Sequence, residues 1–116
     1  MALGVDLIET DKAKAFYDEH RTRLGTYFSA REIRFIGRGP SAWKRLAALL
    51  ASKEAVFKAE GVPAGGLSVF RDIRLSPIGR GRFASSLASH RKPRRGPDVS
   101  CRNYKHYVVA RCAGTS

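Results

Sequence analysis

The chain has 116 residues, 43% hydrophobic and 28% charged, a composition that indicates one globular domain and excludes a disordered chain. It carries 22 Lys and Arg against 10 Asp and Glu, so its formal net charge of +12 predicts an acidic partner: nucleic acid, an anionic membrane, an acidic protein or a phosphorylated small molecule. It has no apolar stretch of membrane-spanning length, and its start lacks a basic segment followed by a signal-like apolar core, so we expect a cytoplasmic protein. A membrane is not the partner that we expect.

The first predicted element is a buried strand over residues 2–8, because apolar residues alternate along it. Leu3, Val5 and Leu7 share one face of this strand. Asp6 lies inside the apolar run, where a carboxylate needs a hydrogen bond, an opposite charge or a metal ion. The simpler alternative is that Asp6 ends the strand or caps the helix that follows.

Two helices are predicted next. A basic amphipathic helix over residues 11–24 has Ala15, Phe16 and Leu24 on its inward face. Ser29 is a good N-cap for a short second helix, and Glu32, three residues later, completes a capping box.

The longest predicted helix runs from residue 42 to residue 60. Ser41 can cap its start directly after Pro40, and Gly61 can take the left-handed position at its end. Apolar residues recur along it at helical spacing, so one stripe of the helix is expected to be buried.

Three charged residues lie on or beside that stripe. At about 100° per residue, Lys53 falls in the middle of the stripe, Glu54 on its flank, and Lys58 one turn later on the side of Glu54. A charge on a buried face must be paired, hydrogen-bonded or bound to metal. The alternative is that Lys53 extends its amine to solvent, while Glu54 and Lys58 form an i,i+4 pair on a solvated edge.

The remaining elements are strands and loops. In chain order they are a loop (62–66), a strand (67–75), a second strand (82–87), a Pro- and Arg-rich loop (89–97) and a closing hairpin (99–103 and 106–112). The order of strand, helices and strands predicts one α+β domain over residues 1–116, with an antiparallel β-sheet packed against one long helix and shorter helices.

Two further features have ordinary explanations beside functional ones. Cys101 and Cys112 are not at zinc spacing, so we expect two reduced thiols in or near strands. The basic run 90–95 could contact nucleic acid, but such runs are more often solvated loops, and nucleic acid is not the expected partner.

Asp6 and Glu54 are the two acids in apolar settings, and each needs compensation. One hard cation between them would satisfy both, since Mg²⁺ binds carboxylate oxygens and keeps waters or phosphate oxygens as its other ligands. Lys58 would then lie near the same phosphate, which is the equipment for phosphoryl transfer. Two acids this far apart in sequence need not meet, so the spacing alone leaves the site open.

The segments around these acids resemble the signature motifs of the phosphopantetheinyl transferase superfamily. They are residues 4–9, GVDLIE, and residues 51–59, ASKEAVFKA. The small size of the chain points to the holo-acyl-carrier-protein synthase branch. Shorter segments resemble other parts of that branch, namely residues 28–32, 70–74, 99–100 and 107–110. The resemblance therefore implies a phosphopantetheinyl transferase-like α+β fold.

The resemblance also implies a reaction: transfer of 4'-phosphopantetheine from coenzyme A to a serine of an apo acyl carrier protein, with release of adenosine 3',5'-bisphosphate. It implies that Asp6 and Glu54 bind Mg²⁺ and that Lys58 contacts the pyrophosphate and assists the leaving group. Glu54, or a water that it orients, would take the serine proton. These three residues are the expected catalytic group.

Binding residues are implied in the same way. Expected contacts of coenzyme A, besides Lys58, are Lys53, Arg45, Ser100 and Asn103. Expected contacts of the acidic carrier protein are Lys12, Arg21 and Arg23. Members of this branch are typically trimers with active sites at subunit interfaces, so a homotrimer is expected.

The chain departs from the family pattern at three places. One is the loop 89–97, which is more basic than the family pattern and whose Pro-Arg-Arg run has no counterpart in it. Leu49-Leu50 stands where the family usually has Arg-Phe, although Arg45, one turn earlier, could substitute. Asn103 stands where the family usually has histidine. The alternative function is a non-catalytic basic module that binds an acidic carrier protein or nucleic acid.

Overall fold

In the computed structural model of the protein, a six-stranded sheet is covered on one face by helices. The structure describes residues 3–60, 69–88 and 93–113. The strands are β1 (Leu3–Glu9), β2 (Ile73–Gly79), β3 (Arg82–Ala88), β4 (Pro93–Arg95), β5 (Val99–Asn103) and β6 (Tyr107–Ala113). The helices are α1 (Thr10–His20), α2 (Ala30–Ile36), α3 (Ala42–Glu60) and α4 (Val69–Asp72), with a 3-10 turn at Leu24–Thr26.

The strands run in the order β1-β6-β5-β3-β2, and β4 pairs with β3 beside this path. Every pairing is antiparallel. The predicted α+β domain with an antiparallel sheet and one long helix is therefore confirmed. No helix in the described part of the chain is long and apolar enough to cross a bilayer.

The core lies between α3 and the sheet. α3 packs across β1, β5 and β6, so its apolar stripe meets the inward residues of all three strands. Fully buried large apolar side chains of this layer are Leu46, Leu49 and Val56 from α3 and Ile73, Leu75, Phe83, Leu87, Val99 and Val108 from the sheet. Both cysteines are free, as expected: Cys101 lies in β5 and Cys112 in β6.

The first helix differs from its prediction. α1 ends at His20 rather than at residue 24. Phe16 is partly buried and Leu24 is buried, as predicted, but Ala15 is exposed and Ala13 is the fully buried residue of the helix. α1 packs on α3, so the face that carries Ala13 is the one that the contact selects. The capping box of α2 is confirmed, because the Ser29 side chain accepts from the Glu32 amide and the Glu32 side chain accepts from the Ser29 amide.

Two predicted segments after α3 are wrong where the structure describes them. The predicted strand over 67–75 begins instead as the helical turn α4, and the strand starts only at Ile73. The predicted loop over 89–97 contains β4, because the backbone of residues 93–95 pairs with β3 despite the proline. Gly61, the loop 62–66 and residues 89–92 lie outside the described residues.

The first strand is buried on one face only. Leu3, Val5 and Leu7 are 72%, 54% and 52% exposed, because the helices cover only the opposite face of the sheet. The prediction of a buried strand is therefore wrong for these three residues. They form an exposed apolar strip at the edge of the sheet.

Gly4 lets β1 approach α3 closely. A Cβ at Gly4 would lie 1.8 Å from the Ala55 carbonyl oxygen and 2.8 Å from the Cβ of Ala59. Backbone of α3 occupies the space that a side chain would need, so only glycine permits this approach. Asp6, two residues along the same face of β1, is brought to α3 by the same contact.

We expect Gly4→Ala to lower the free energy of unfolding by about 1–3 kcal/mol, because the added methyl must push β1 away from α3. Gly25→Ala is the matched control, since nothing lies within 4 Å of a Cβ there. It should change stability by less than about 1 kcal/mol. Urea denaturation measures both, and equal midpoints for the two variants would contradict the close approach.

Candidate functional site

β1 and α3 bring Asp6 and Lys58 into contact. Lys58 Nζ donates to Asp6 Oδ1 at 2.8 Å and reaches the Val5 carbonyl oxygen at 3.4 Å. The hydrogen bond with Asp6 and the charge of that carboxylate raise the pKa of Lys58. Lys58 therefore pairs across two elements, and the alternative of an i,i+4 pair with Glu54 on a solvated edge is wrong.

Glu54 lies half-buried on α3, one turn before Lys58. Burial raises the pKa of Glu54, the nearby Asp6 charge raises it further, and Lys58 opposes both effects. The two carboxylates are thus close enough to interact. Their mutual repulsion in a half-buried place favours a bound cation.

Asp6 and Glu54 line a cavity of about 340 Å³ beside β1. Its other lining residues are Leu7, Ile8, Phe16, Leu50 and Phe70. The side chain of Leu7 points to the other face of the sheet, so the apolar walls come from the remaining four residues. A site lined by two acids and by aromatic and aliphatic side chains can hold a ligand that has both charged and apolar parts.

The donor set at this site fits a hard cation such as Mg²⁺. The structure groups no three His, Cys, Asp or Glu residues at metal-binding distance within the residues it describes. Mg²⁺ does not need such a cluster, since it is usually held by one or two carboxylates together with waters and substrate phosphates. Asp6 and Glu54 supply that number.

Lys53 has a different place from the one expected. Its side chain is 0% exposed, and Nζ donates to Glu32 Oε1 at 2.9 Å and to the Phe70 carbonyl oxygen at 2.7 Å. Burial lowers the pKa of Lys53, and the charge of Glu32 opposes that effect. The expected contact with coenzyme A is therefore wrong for Lys53, and so is the alternative in which its amine reaches solvent.

Glu32 has a role beyond the capping box. Its buried Oε1 accepts from the Ser29 amide at 2.8 Å and from Lys53, while Oε2 accepts from the Leu75 amide at 2.9 Å. One carboxylate thus joins α2, α3 and β2. The capping-box spacing identified Glu32, but the partners 21 and 43 residues away have no local signal.

Arg45 and Asn103, which are both expected to contact coenzyme A, lie at the same cavity. They line a separate cavity of about 270 Å³ with Lys44 and the turn at 79–81. Arg45 Nε donates to the Ile36 carbonyl oxygen at 2.7 Å, and Nη2 donates to the Arg38 carbonyl oxygen at 3.2 Å. Sequence reasoning missed Lys44; its position beside Arg45 at the exposed side of α3 was the available signal.

Ser100 does not join this cavity. It alternates with Cys101 along β5 and lies on the face of the sheet that the helices leave uncovered, where it lines another cavity. Cys101 faces the helices, with its Sγ 2.8 Å from Ser52 Oγ. Within this chain, Ser100 and Asn103 lie on opposite faces of β5, although Arg80 and Gly81 line the cavities of both. A contact of Ser100 with coenzyme A stays a prediction.

Lys12, Arg21 and Arg23 are all exposed at α1 and just after it. Arg21 lines a shallow cavity of about 750 Å³ together with Arg38. Exposed acids share this helix, namely Asp11, Asp18 and Glu19. The basic surface is therefore concentrated at the carboxyl end of α1 and beyond, rather than along the whole helix.

A family model described as the 4'-phosphopantetheinyl transferase superfamily matches residues 2–112. Among curated protein sequences, none matches the chain. Among solved structures, the chain is similar to holo-[acyl-carrier-protein] synthase from Helicobacter pylori in complex with coenzyme A. The identity is 18%, the TM-score is 0.75, and the match covers 97% of this chain and 99% of that one.

Two other structures match over most of their length. The holo-(acyl-carrier-protein) synthase of Bacillus anthracis, in complex with CoA (3',5'-ADP), is 23% identical with a TM-score of 0.71, over 99% of this chain and 96% of that one. The apo-ACPS structure of Chronobacterium ammoiniagenes is 26% identical with a TM-score of 0.69, over 95% and 92% of the two chains.

We expect Glu32→Gln to lower the free energy of unfolding by about 3–5 kcal/mol, because it leaves the buried Lys53 ammonium without its counter-charge. Urea denaturation measures the change. Asp18→Asn removes an exposed acid from α1 and should stay within about 0.5 kcal/mol of the wild type. The double variant Glu32→Gln/Lys53→Met should regain part of the loss. Equal effects of Glu32→Gln and Asp18→Asn would contradict the structural role of the pair.

Proposed function

Because the chain belongs to the 4'-phosphopantetheinyl transferase superfamily, we propose that it transfers 4'-phosphopantetheine from coenzyme A to a serine of an apo acyl carrier protein. The serine oxygen forms a bond to the phosphorus next to pantetheine, the pyrophosphate bond breaks, and adenosine 3',5'-bisphosphate leaves. The observation that carries the proposal is the meeting of Asp6, Glu54 and Lys58 where β1 crosses α3. The similar structure from H. pylori is in complex with coenzyme A and that from B. anthracis with CoA (3',5'-ADP), which agrees with this substrate.

We propose that Asp6 and Glu54 hold Mg²⁺. When bound, the ion would neutralise charge on the pyrophosphate and orient its oxygens. The chain needs to supply only these two carboxylates as ligands, since waters and the substrate complete the coordination of such a site.

Lys58 supplies a positive charge for the leaving group. Its raised pKa keeps the ammonium protonated at neutral pH, and its side chain is half-exposed beside the carboxylates. An ammonium in this position stabilises the negative charge that grows on the departing bisphosphate. A phosphate that binds here shares Lys58 with Asp6.

Glu54 is suited to accept the serine proton, directly or through a water that it orients. Burial raises the pKa of Glu54 in the absence of a metal ion, whereas a cation held by the same carboxylate would lower it. The base role is therefore proposed from the position of Glu54, which lines the cavity beside Asp6. The apolar walls of the cavity, including Phe16 and Phe70, limit the access of bulk water and strengthen charge interactions within it.

We further propose a homotrimer. The Arg45 cavity and the Asp6 cavity share no lining residue, so a single chain divides the expected contacts of coenzyme A between two places. Association would allow one subunit's Arg45 cavity to complete another's carboxylate site. The exposed apolar strip of β1, extended by Tyr107 of β6, is the surface that such contacts would cover.

The acidic carrier protein is proposed to dock at Lys12, Arg21 and Arg23. The net charge of +12 favours its approach at a distance. These exposed residues lie on α1 or just after it, and α1 packs against α3, which carries Glu54 and Lys58. A cytoplasmic location is proposed as well, and the two free thiols agree with a reducing compartment.

The alternative remains a basic module without catalysis. Its nucleic-acid form has little support in the basic run, because Arg94 pairs with Glu60 at 3.1 Å and Arg95 lies 3.7 Å from Asp98. Residues 90–92 of that run are outside the described part of the chain. Binding of an acidic carrier protein without transfer is the form that the next experiment separates.

We expect an apo acyl carrier protein to gain the mass of one phosphopantetheine group after incubation with this protein, coenzyme A and Mg²⁺. Chelation should abolish the gain. Asp6→Asn and Glu54→Gln should each lower the transfer rate by about 100-fold or more, since loss even of a residue that supports a metal ligand costs 10–100-fold. Intact-mass spectrometry with time measures the rate.

Two controls separate chemistry from docking. The variant Lys12→Glu/Arg21→Glu/Arg23→Glu should raise the KM for the carrier protein and leave the rate at saturating carrier largely unchanged. Arg34→Glu, an exposed charge change elsewhere, should change neither the KM for the carrier protein nor the rate at saturating carrier. If the wild type binds the carrier in a salt-dependent manner but adds no mass, the non-catalytic alternative is correct.

Subunit association is tested separately by sedimentation velocity. We expect the wild type to sediment as a trimer and Leu7→Lys to shift toward the monomer, because the substitution places a charge in the apolar strip. Lys14→Ala changes an exposed residue of α1 and should leave the trimer intact. A wild-type monomer at micromolar concentration would contradict the trimer and leave the transfer proposal to its own assay.

A further inference from the structure

A groove lies on the helical side of the molecule, between α1, α2 and the loop that follows α2. It is the shallow cavity of about 750 Å³ that Arg21 and Arg38 line, and we name it the arginine groove. Its floor includes Tyr17 of α1, Leu24 of the 3-10 turn and Ile33 of α2. None of its lining residues belongs to the sheet, so the groove lies apart from the uncovered sheet face and the apolar strip.

α1 separates the arginine groove from the Asp6 cavity. Phe16 of α1 lines the Asp6 cavity, whereas Tyr17 and Arg21 line the groove. Tyr17 and Arg21 lie one turn apart and share a side of the helix, because Arg21 keeps helical backbone angles just after α1 ends. The two cavities have no lining residue in common, so a ligand in the groove does not touch the acids of the candidate site.

The floor of the groove is apolar and its edge is open. Tyr17 and Ile33 are half-buried against the core, and Leu24 is buried. Gly25 and Gly39 also line the groove, and nothing stands within 4 Å of the position that a Cβ would take at either residue. An aliphatic chain can therefore lie on the floor and lose water there, while its polar end stays near the surface.

The two arginines of the groove carry positive charge that no acid in the described part of the chain neutralises. The lining contains no Asp or Glu. Neither Arg21 nor Arg38 takes part in an ion pair among the described residues, and Asp18, one turn before Arg21, does not pair with it. Both arginines are exposed. The groove thus offers an apolar floor and two unpaired cations to one ligand.

We propose that the arginine groove binds an amphipathic carboxylic acid, a molecule with an aliphatic chain that ends in a carboxylate. The chain lies on Tyr17, Leu24 and Ile33. Arg21 and Arg38 hold the carboxylate, since a guanidinium forms paired, charge-assisted hydrogen bonds with that group. The volume of about 750 Å³ lies within the range of small-molecule sites, about 300–1,000 Å³. The site does not depend on the proposed transferase function.

Other pairings of ligand and site are less favourable. The Asp6 cavity is also partly apolar, but its two acids repel a carboxylate unless a cation lies between them. An inorganic anion would use the arginines of the groove and leave its apolar floor exposed to water. The carrier protein is proposed to contact Arg21 too, so it is the competing occupant, and the binding test is made without it.

The test is isothermal titration calorimetry of octanoate into the full chain, with a chelator present and at constant ionic strength. The chelator keeps Asp6 and Glu54 free of metal, so that the Asp6 cavity repels the probe. We expect saturable binding at one site per chain. Arg21→Gln/Arg38→Gln should weaken it by about 10-fold or more, since a hydrogen bond to a charged group contributes at least that factor. Arg34→Gln changes an exposed arginine of α2 that does not line the groove, and it should bind octanoate as the wild type does.

Two further probes separate the contribution of the charge from that of the chain. The first, 1-octanol, has the chain without the carboxylate, and the second, acetate, has the carboxylate without the chain. Each should bind about 10-fold or more weakly than octanoate, because one loses the paired hydrogen bonds and the other the buried methylene groups. Binding of either probe as tight as that of octanoate would overturn the proposal.

Other results also count against the site. Equal weakening by Arg34→Gln means general attraction to a basic protein. Absence of octanoate binding overturns the proposal, and weaker carrier binding by Arg38→Gln would then assign the groove to the carrier. If circular dichroism shows that the double arginine variant does not fold, Thr22→Asp replaces it, because an acid in the lining repels the carboxylate. Thr26→Asp, an exposed change outside the groove, is its matched control, and equal octanoate binding by these two variants contradicts the site.

Discussion

The buried ion pair between Glu32 and Lys53 sets the orientation of α3, and the candidate site depends on that orientation. Both side chains are 0% exposed, and each polar atom of the pair has a hydrogen-bond partner, as buried charges require. With Lys53 turned inward, the next residue along the helix is rotated by about 100°. That rotation directs Glu54 toward β1 and the cavity shared with Asp6.

The same pair also connects the elements that surround the cavity. Lys53 holds the Phe70 carbonyl group, so α4 is fixed to α3, and the Phe70 ring packs beside Phe16 and Tyr27. Glu32 holds the start of β2 through the Leu75 amide. The absence of a side chain at Gly4 then sets how closely β1 approaches. A charged pair and a glycine together place two distant acids at one cavity.

Whether a feature could be predicted from the sequence depends on how far apart in the chain its interacting residues lie. The capping box at Ser29 and Glu32 and the limits of α3 are local, and both are confirmed. The helical turn α4 and strand β4 depend on partners distant in the chain, and both predictions were wrong there. Periodicity placed Lys53 on the buried stripe correctly, but it carries no information on Glu32, the residue that makes the burial possible.

The same distinction between local and distant contacts applies to the residues of the candidate site. The pairing of Asp6 with α3 was predicted only through the resemblance between motifs, since the spacing left it open. Ser100 could not be assigned a face of the sheet without the register of β5. It lies on the face that points away from Arg45 and Asn103. The lining of the arginine groove comes from two helices and the segments that follow them, so no single stretch of sequence shows it as a site.

Arg45 illustrates preorganisation. Two of its nitrogens are bound to backbone carbonyl groups at the end of α2, so the guanidinium is already held in place before a ligand enters the cavity beside Asn103. An arginine side chain carries about 2 kcal/mol of rotamer entropy when free. Folding has largely removed that freedom here, so an anion in this cavity loses little affinity to the ordering of the side chain. The affinity of the cavity for an anion therefore depends on how firmly the end of α2 is held.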